Sequence, residues 1–413
     1  MNDFFTPAEA QNNSQREADL LAKLAAFLAY AKSNSTYYAK ILADVDVETV
    51  NSRERLANLP VTRKSDLIDL QSKQPPFAGL VTESAKVDRI YQSPGPINEP
   101  ENTNDDWWRL GQAFYAAGFR TGDKVQNCLS YHLTPGGFIL DSGARACGCS
   151  VIAAGPGQTD QQLDVIEHLK PEGYCGTPSF LKILLDKAQA QGRDISSIRK
   201  ALVTGEAYLP PLRAEFKAAG IEALQAYATA DVGLIGFESD PHDGLIIAEN
   251  IIVEILRPGT GIPVAEGEVG EVVVTSFNLD YPLIRFATGD LSALLPGSSE
   301  CGRTNMRIKG WMGRADQTTK VKGMFVHPEQ VEKVRLLHPE IVKSRLVVSQ
   351  ENHNDLMTLV CEVQGQQSLN DQQLTHAISE SVKRVVKLNG AVKLVEKGTI
   401  SDDGKVIEDL RSV

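Results

Sequence analysis

The chain has 413 residues, 42% of them hydrophobic and 23% charged, which is the balance of a globular protein with enough chain for two or three domains. Its formal net charge of −11 argues against a nucleic-acid groove or an anionic membrane surface, although a local Lys/Arg cluster can still hold a phosphate. Six cysteines, at 128, 147, 149, 175, 301 and 361, form no CxxC pair and have no histidine at zinc-finger spacing, so they read as reduced thiols. Met1-Asn-Asp-Phe-Phe lacks a basic n-region and an apolar h-region. No stretch approaches the ~18 apolar residues of a membrane span. The expectation is a cytoplasmic protein with no membrane and no nucleic-acid partner.

In chain order, residues 15–45 are helical by period, with Leu20, Leu21, Leu24, Leu28 and Ala31 on one face. Leu59-Pro-Val-Thr-Arg-Lys-Ser-Asp-Leu predicts a turn in which Thr62 or Ser65 caps a short helix. A strand at 88–92 runs into a Pro/Gly loop at 93–100, and Trp107 to Gly118 reads as a helix. A turn and strand over 122–129 and strands at 150–155 and 200–205 then alternate with helices at 134–147, 161–169, 180–191 and 212–219. That alternation over 88–235 implies a parallel sheet covered on both faces.

After 244 the texture is β-rich, as in Leu245-Ile-Ile-Ala and Gly270-Glu-Val-Val-Val-Thr, which predicts a small antiparallel sheet or barrel at about 240–312. The last block has strands near 344–349, 356–363 and 391–395 and a helix over Gln372–Val386. The fold class is therefore α/β: a large N-terminal domain (1–314) with mostly parallel sheets and a β-rich subdomain, then a small mobile α+β domain (315–413).

The segment Tyr281-Pro-Leu-Ile-Arg-Phe-Ala-Thr-Gly-Asp-Leu places Asp290 just after a Thr-Gly turn. Downstream come Arg314, Ala315 and Asp316, then a basic Gly-containing turn with Lys320, Lys322 and Gly323. A ribose diol offers two donors, and one carboxylate on a rigid turn can accept both. An enzyme that grips a nucleotide and swings a second domain over it needs such parts.

This pair of segments resembles the adenylate-forming superfamily, in its phenylacetate–CoA ligase branch. The likeness runs from about Leu59 to Lys405. Leu59-Pro-Val-Thr-Arg-Lys-Ser-Asp-Leu looks like the family's LPxTxKxDL. Ser130-Tyr-His-Leu-Thr-Pro-Gly-Gly resembles YGLFTGG, which implies an acyl pocket shaped by Tyr131, His132, Gly136 and Gly137. Gly205, Glu206 and Ala207 resemble GAEP, the adenine-holding segment. Tyr227-Ala-Thr-Ala-Asp-Val-Gly resembles YGxTExG, so Thr229 falls where a hydroxyl contacts phosphate, and Tyr227 is implied as a nucleotide-binding residue. Asp231, standing for the usual Glu, falls where an acid helps hold Mg²⁺. Asp290 matches the ribose acid, Arg314 the nucleotide-contacting arginine and Asp316 the hinge. Lys322 lies in the basic turn, and Lys405, after Gly404, matches the lysine that serves adenylation.

The phosphate loop departs from the family. A Ser/Thr/Gly-rich stretch ending in Lys-Pro supplies hydroxyls, amides and a cation to the β- and γ-phosphates. Here the stretch reads Gln92-Ser-Pro-Gly-Pro-Ile-Asn-Glu-Pro. Pro94 and Pro96 remove amide donors, only Ser93 and Gly95 keep the expected chemistry, and Glu99 stands near the place of the lysine. The nearest basic residues in sequence, Lys86 and Arg89, lie upstream. The loop binds ATP in another way, or the enzyme uses ATP slowly, or it handles an already activated acyl group.

Zinc-binding relatives carry Cys and His ligands in the β-rich region. Only Cys301 and, loosely, His242 remain here, with Ser299 two residues before Cys301, so no zinc is expected.

The resemblance implies an ATP-dependent acid–CoA ligase for an aryl or arylacetic acid, working through acyl-AMP with ATP, magnesium and coenzyme A, as a homodimer. Phe138, Tyr131, Tyr227 and Phe237 are pocket candidates that could equally be core. Two other readings stay open: an adenylating enzyme that passes its acyl group to an amine or carrier-protein thiol, and a nucleotide-binding homologue without ligase turnover.

Overall fold

The computed structural model describes residues 4–93, 96–206, 208, 210–315, 319–321, 324–326, 328–351, 354–364, 371–401 and 405–411. The chain divides into two compact units. One comprises Met1–Glu254, Val273–Thr288 and Leu294–Trp311; the other comprises Ile255–Val272, Gly289–Ala293 and Met312–Val413.

The first unit is built on a nine-stranded sheet. Five of its strands are parallel: Lys124–Asn127, Ser150–Ala153, Gly173–Gly176, Lys200–Val203 and Glu222–Thr229. Numbered along the chain, they lie in the order 2-1-3-4-5, so the winding direction reverses between the first and third strands. The crossovers are the helices Gly136–Ala146, Thr159–Leu169, Pro178–Gln191 and Pro210–Ala218. The third of these shows why the sequence folds as it does. Thr177 accepts the Phe180 amide as N-cap, Pro178 opens the first turn, and Gly192 ends the helix at φ +65°. Its Leu181, Leu184 and Ala188 pack with Leu163, Ile166 and Phe216 in one buried cluster under the strands.

Gly233–Glu238 and Leu245–Ile247 continue the sheet antiparallel, followed by the short strands Arg307–Ile308 and Leu294–Leu295. The remaining β-rich segments, Ile251–Leu256, Gly270–Ser276 and Leu283–Ser292, form a four-stranded sheet with Thr62–Arg63. The β texture after residue 244 is thus shared between two sheets.

In the second unit the strands Ala391–Glu396, Asn354–Val363, Ile341–Glu351 and Ile407–Asp409 form a sheet in that order. The helices Pro328–Leu336 and Gln372–Val386 supply Val331, Val334, Ile378, Val382 and Val386 to a core shared with Leu346, Val348 and Leu359.

Four local expectations need correction. The stretch at 93–100 is not a loop throughout, because Ile97–Glu101 is a strand paired antiparallel with Arg89–Ser93. Pro100 is tolerated there because a two-stranded ribbon has only edge strands. Neither Thr62 nor Ser65 caps a helix: Thr62 lies on a strand, and Leu67–Lys73 continues from a 3-10 turn without a side-chain cap. The helix expected from Trp107 is shortened to Gly111–Ala116, with Asp106 and Arg109 before it at positive φ. The first helix breaks at Ser35, whose hydroxyl accepts the Tyr38 amide and donates to the Gly79 carbonyl, so a second helix Thr36–Ile41 begins. Among the described residues no helix is long and apolar enough to cross a membrane.

Candidate active site

A cavity of about 400 Å³ opens in the first unit. Its walls come from the carboxyl ends of parallel strands, where open α/β sheets bind ligands. Thr204 and Gly205 follow the strand Lys200–Val203, Ala228, Thr229 and Ala230 end the strand Glu222–Thr229, and Leu129 follows Lys124–Asn127. Pro135, Gly136, Ile139 and Leu140, at the start of a crossover helix, add an apolar wall, as does Leu110. Ser93 reaches the cavity from the hairpin. Gly205 sits at φ +82°, a conformation that lets the backbone turn sharply beside a ligand.

Among the described residues of the hairpin, Ser93 and Glu99 are held together by hydrogen bonds. The Ser93 amide donates to Glu99 Oε2 at 3.2 Å, and the Ser93 hydroxyl donates to Oε1 of the same carboxyl group. Glu99 is 1% exposed. Burial pushes its carboxyl well above the usual carboxylate range, and the nearby negative charge of Asp231 adds to the effect. Arg89 donates to Glu101 at 2.9 Å, so the nearest upstream arginine is paired inside the ribbon, and the Tyr91 hydroxyl also donates to that carboxylate. Lys86 pairs with Asp88 at 2.8 Å.

A cation arrives instead from far away in sequence. Lys64 Nζ donates to Asp231 Oδ2 at 2.6 Å, and the Asp231 side chain is fully buried. Asp231 Oδ1 is buried with no hydrogen-bond partner among the described residues, and neither has the Tyr281 hydroxyl. Burial raises the Tyr281 phenol well above its ordinary value, and the charges of Asp231 and Glu99 raise it further. One unpartnered carboxylate oxygen fits a Mg²⁺ that arrives on phosphate oxygens, since Mg²⁺ usually takes one or two protein carboxylates and fills its shell with water and phosphate. No group of three or more His, Cys, Asp or Glu able to hold a metal occurs among the described residues.

The other sequence candidates are placed as follows. Tyr227 is buried and its hydroxyl lies 3.3 Å from Thr288 Oγ1. Thr229 lines the cavity while its hydroxyl accepts the Val232 amide at 3.2 Å. Glu206 is exposed and accepts the Ser179 hydroxyl at 2.9 Å.

Gly136 is on the cavity wall, but Tyr131, His132 and Gly137 are not among the lining residues. The Tyr131 hydroxyl is held by Asn127 at 2.7 Å and Asp141 at 3.3 Å. His132 is exposed, and a Cβ on Gly137 would meet the Ser130 carbonyl oxygen at 2.8 Å, so that glycine serves packing. Phe138 packs against Tyr91 and Tyr131, and Phe237 is fully buried.

In the second unit Asp290 and Arg314 face each other across an antiparallel bridge, with Arg314 Nη1 3.2 Å from Asp290 Oδ1. Beside that pair the Leu291 amide donates to the Gly313 carbonyl and the Met312 amide to the Leu291 carbonyl, each at 2.9 Å. The segment carrying Lys405 is stapled by Arg345, which donates to the Lys405 carbonyl at 3.1 Å and to the Ser401 carbonyl at 3.0 Å. Gly95, Ala207, Asp316, Lys322, Gly323 and Gly404 lie outside the described residues.

Residues 107–279 match the AMP-binding enzyme family, and residues 323–408 match the AMP-binding enzyme C-terminal domain. The phenylacetate-coenzyme A ligase of Thermus thermophilus is 30% identical over 402 residues, covering 90% of this chain and 89% of the relative. The chain belongs to the AMP-binding enzyme family, in its phenylacetate–CoA ligase-like branch. The Escherichia coli phenylacetate-coenzyme A ligase is 29% identical, with 98% of each chain covered. A 2-hydroxyisobutyryl-CoA ligase, solved in an open conformation with its acyl-AMP and CoA, shares the fold. Its TM-score is 0.71 at 21% identity, covering 95% of this chain and 91% of that one.

Within this AMP-binding enzyme, sequence reasoning missed Lys64 as the partner of Asp231. The signal was present, since Lys64 is the lysine of the Leu59–Leu67 motif, but nothing local says that it reaches a residue 167 positions away. Tyr281 opens the Asp290 segment and was likewise unassigned. Its role depends on burial beside two carboxylates, which only the fold creates.

Proposed function

We propose that this AMP-forming acid–thiol ligase joins an aryl or arylacetic acid to coenzyme A through an acyl-adenylate. The observation that carries the reading is the cavity at the carboxyl ends of the parallel strands. Leu110, Leu129, Ile139 and Leu140 make it apolar, while Ser93, Thr204 and Thr229 supply isolated polar groups at its wall. Such a lining suits an uncharged ring or chain attached to a single carboxylate. The named function of the Thermus and Escherichia relatives points the same way.

In the first half-reaction a carboxylate oxygen attacks the α-phosphorus of ATP and pyrophosphate leaves. Lys405 stabilises the charge developing on the α-phosphate, Tyr227 and Thr229 orient it, and Asp290 and Arg314 hold ribose and nucleotide. Mg²⁺ brought in with ATP would neutralise phosphate charge, with Asp231 as the residue that would hold it. In the second half-reaction the CoA thiolate attacks the acyl-AMP carbonyl and AMP leaves. The boundary at 314–315 and the hinge at Asp316 belong to this reading, because one C-terminal domain serves both steps by rotating.

The test is chromatography of nucleotides and thioesters after incubation with ATP, Mg²⁺, CoA and a panel of aromatic and aliphatic acids. AMP and one acyl-CoA should appear in equal amounts, with an aromatic acid the best substrate. AMP release without a thioester would mean a different acceptor. No AMP with any acid would overturn the proposal.

A further inference from the structure

A backbone that grips terminal phosphates does so with free amide and hydroxyl donors and at least one cation. Among the described residues of the hairpin Arg89–Glu101, Ser93 is the one that reaches the cavity, and its donors are already engaged. Ser93 lines the cavity, yet its amide lies 3.2 Å from Glu99 Oε2 and its hydroxyl bonds to Glu99 Oε1. Glu99 is no loose surface acid. It is 1% exposed and stands in register opposite Tyr91, which is itself buried.

The ribbon is fixed from the side as well. The Asn98 amide donates to Gln71 Oε1 at 2.8 Å, and Gln71 Nε2 donates back to the Asn98 carbonyl at 2.9 Å. The basic groups of the region are also committed: Lys64 to Asp231, Arg89 to Glu101 and Lys86 to Asp88.

We propose that Glu99 is a specificity-determining residue that serves as the hairpin's internal acceptor. Its carboxyl group holds the two Ser93 donors that a terminal phosphate would take, so the site binds AMP and acyl-adenylate in preference to ATP and pyrophosphate. A carboxyl oxygen and a phosphate oxygen compete for the same donors, and a donor already paired inside the protein gains little by changing partner. Pyrophosphate formed in the first half-reaction therefore departs without being held, and its rebinding to reverse that step is weak. The inference rests on the adenylate-forming reading.

The experiment is isothermal titration of the full chain with AMP, ATP and inorganic pyrophosphate in Mg²⁺ buffer, for the wild type, Glu99→Ala and Glu99→Gln. In the wild type ATP should bind no more tightly than AMP. In Glu99→Ala the Kd for pyrophosphate should fall at least tenfold while that for AMP stays within twofold. Glu99→Gln, which removes the acid but keeps an acceptor, should fall between. Wild-type ATP binding tenfold tighter than AMP, or unchanged pyrophosphate affinity in both variants, would overturn the inference while leaving the adenylate reading intact. No AMP binding by the wild type would overturn both. The wild-type comparison needs no variant, so it stands even where a substitution prevents folding.

Discussion

Lys64 Nζ lies 2.6 Å from Asp231 Oδ2, joining two segments 167 residues apart. The Asp231 side chain is fully buried and that of Lys64 is 21% exposed. Removing the cation strands a buried carboxylate. Lys64→Met should therefore cost about 2 kcal/mol of stability, below the ~3–5 kcal/mol of a fully buried broken pair because Lys64 is partly solvated. The double variant Lys64→Met/Asp231→Asn should recover most of that loss. Denaturant melts of the two variants check this; equal destabilisation of both would show that the pair is not coupled.

Lys405 and Arg345 make a paired prediction. Lys405→Ala should slow acyl-AMP formation about 100-fold, the scale of losing one preorganised charge at a developing anion, and spare thioester formation from supplied acyl-AMP. Arg345 is nearly buried and holds the Ser401 and Lys405 carbonyls, so it acts by positioning. Arg345→Ala should lower kcat of the first step about tenfold with little change in KM, and should also spare the second step. Single-turnover assays of each half-reaction separate the two. Equal loss in both steps would contradict the role given to Lys405.

Asp106 sets a pH dependence of stability. Both its oxygens accept the Gly111 amide at 3.0 Å, and burial pushes its pKa from 3.8 up to about 7, against the opposing pull of that amide and of Arg109. The folded protein then binds more protons than the unfolded chain between about pH 4 and 7. The contribution is fully present below about pH 4 and is lost as pH rises through 7. Asp106→Asn should flatten the fall of Tm over that window; parallel Tm profiles for variant and wild type would refute it.

Arg285 and Glu254 form a buried pair at 3.0 Å, and Arg285 also donates to the Ala57 carbonyl at 2.8 Å. Arg285 is 1% exposed. Glu254→Ala should cost about 3–5 kcal/mol, because it leaves a guanidinium buried without its counter-ion. A urea midpoint within error of wild type would contradict this.

The alternation of strands and helices over 88–235 was legible because each crossover carries its own local signals, such as Thr177, Pro178 and Gly192 around one helix. The helix Gln372–Val386 was legible for a similar reason, since Asp371 caps it by accepting the Gln373 and Leu374 amides. The hairpin strand Ile97–Glu101 was not, because Pro96 and Pro100 signal a loop while long-range contacts with Gln71 fix the strand. In the site, Thr229, Gly205 and Gly136 could be placed at the cavity from motif order alone. Tyr131 and His132 sat in an equally suggestive motif, but only the fold shows that the Tyr131 hydroxyl is spent on Asn127 and Asp141. The inward turn of Glu99 onto Ser93 was hidden for the same reason. A glutamate in a Pro-rich segment reads as exposed, and its burial depends on the register of two strands.

In the proposed mechanism this AMP-binding enzyme activates a carboxylic acid as its adenylate before thioester formation. Turnover of an arylacetic acid carrying ¹⁸O in its carboxylate, with ATP, Mg²⁺ and CoA, tests it most directly by mass spectrometry of the nucleotide product. AMP should contain one ¹⁸O per molecule and form in step with the acyl-CoA. Unlabelled AMP, or thioester formation accompanied by ADP, would contradict it.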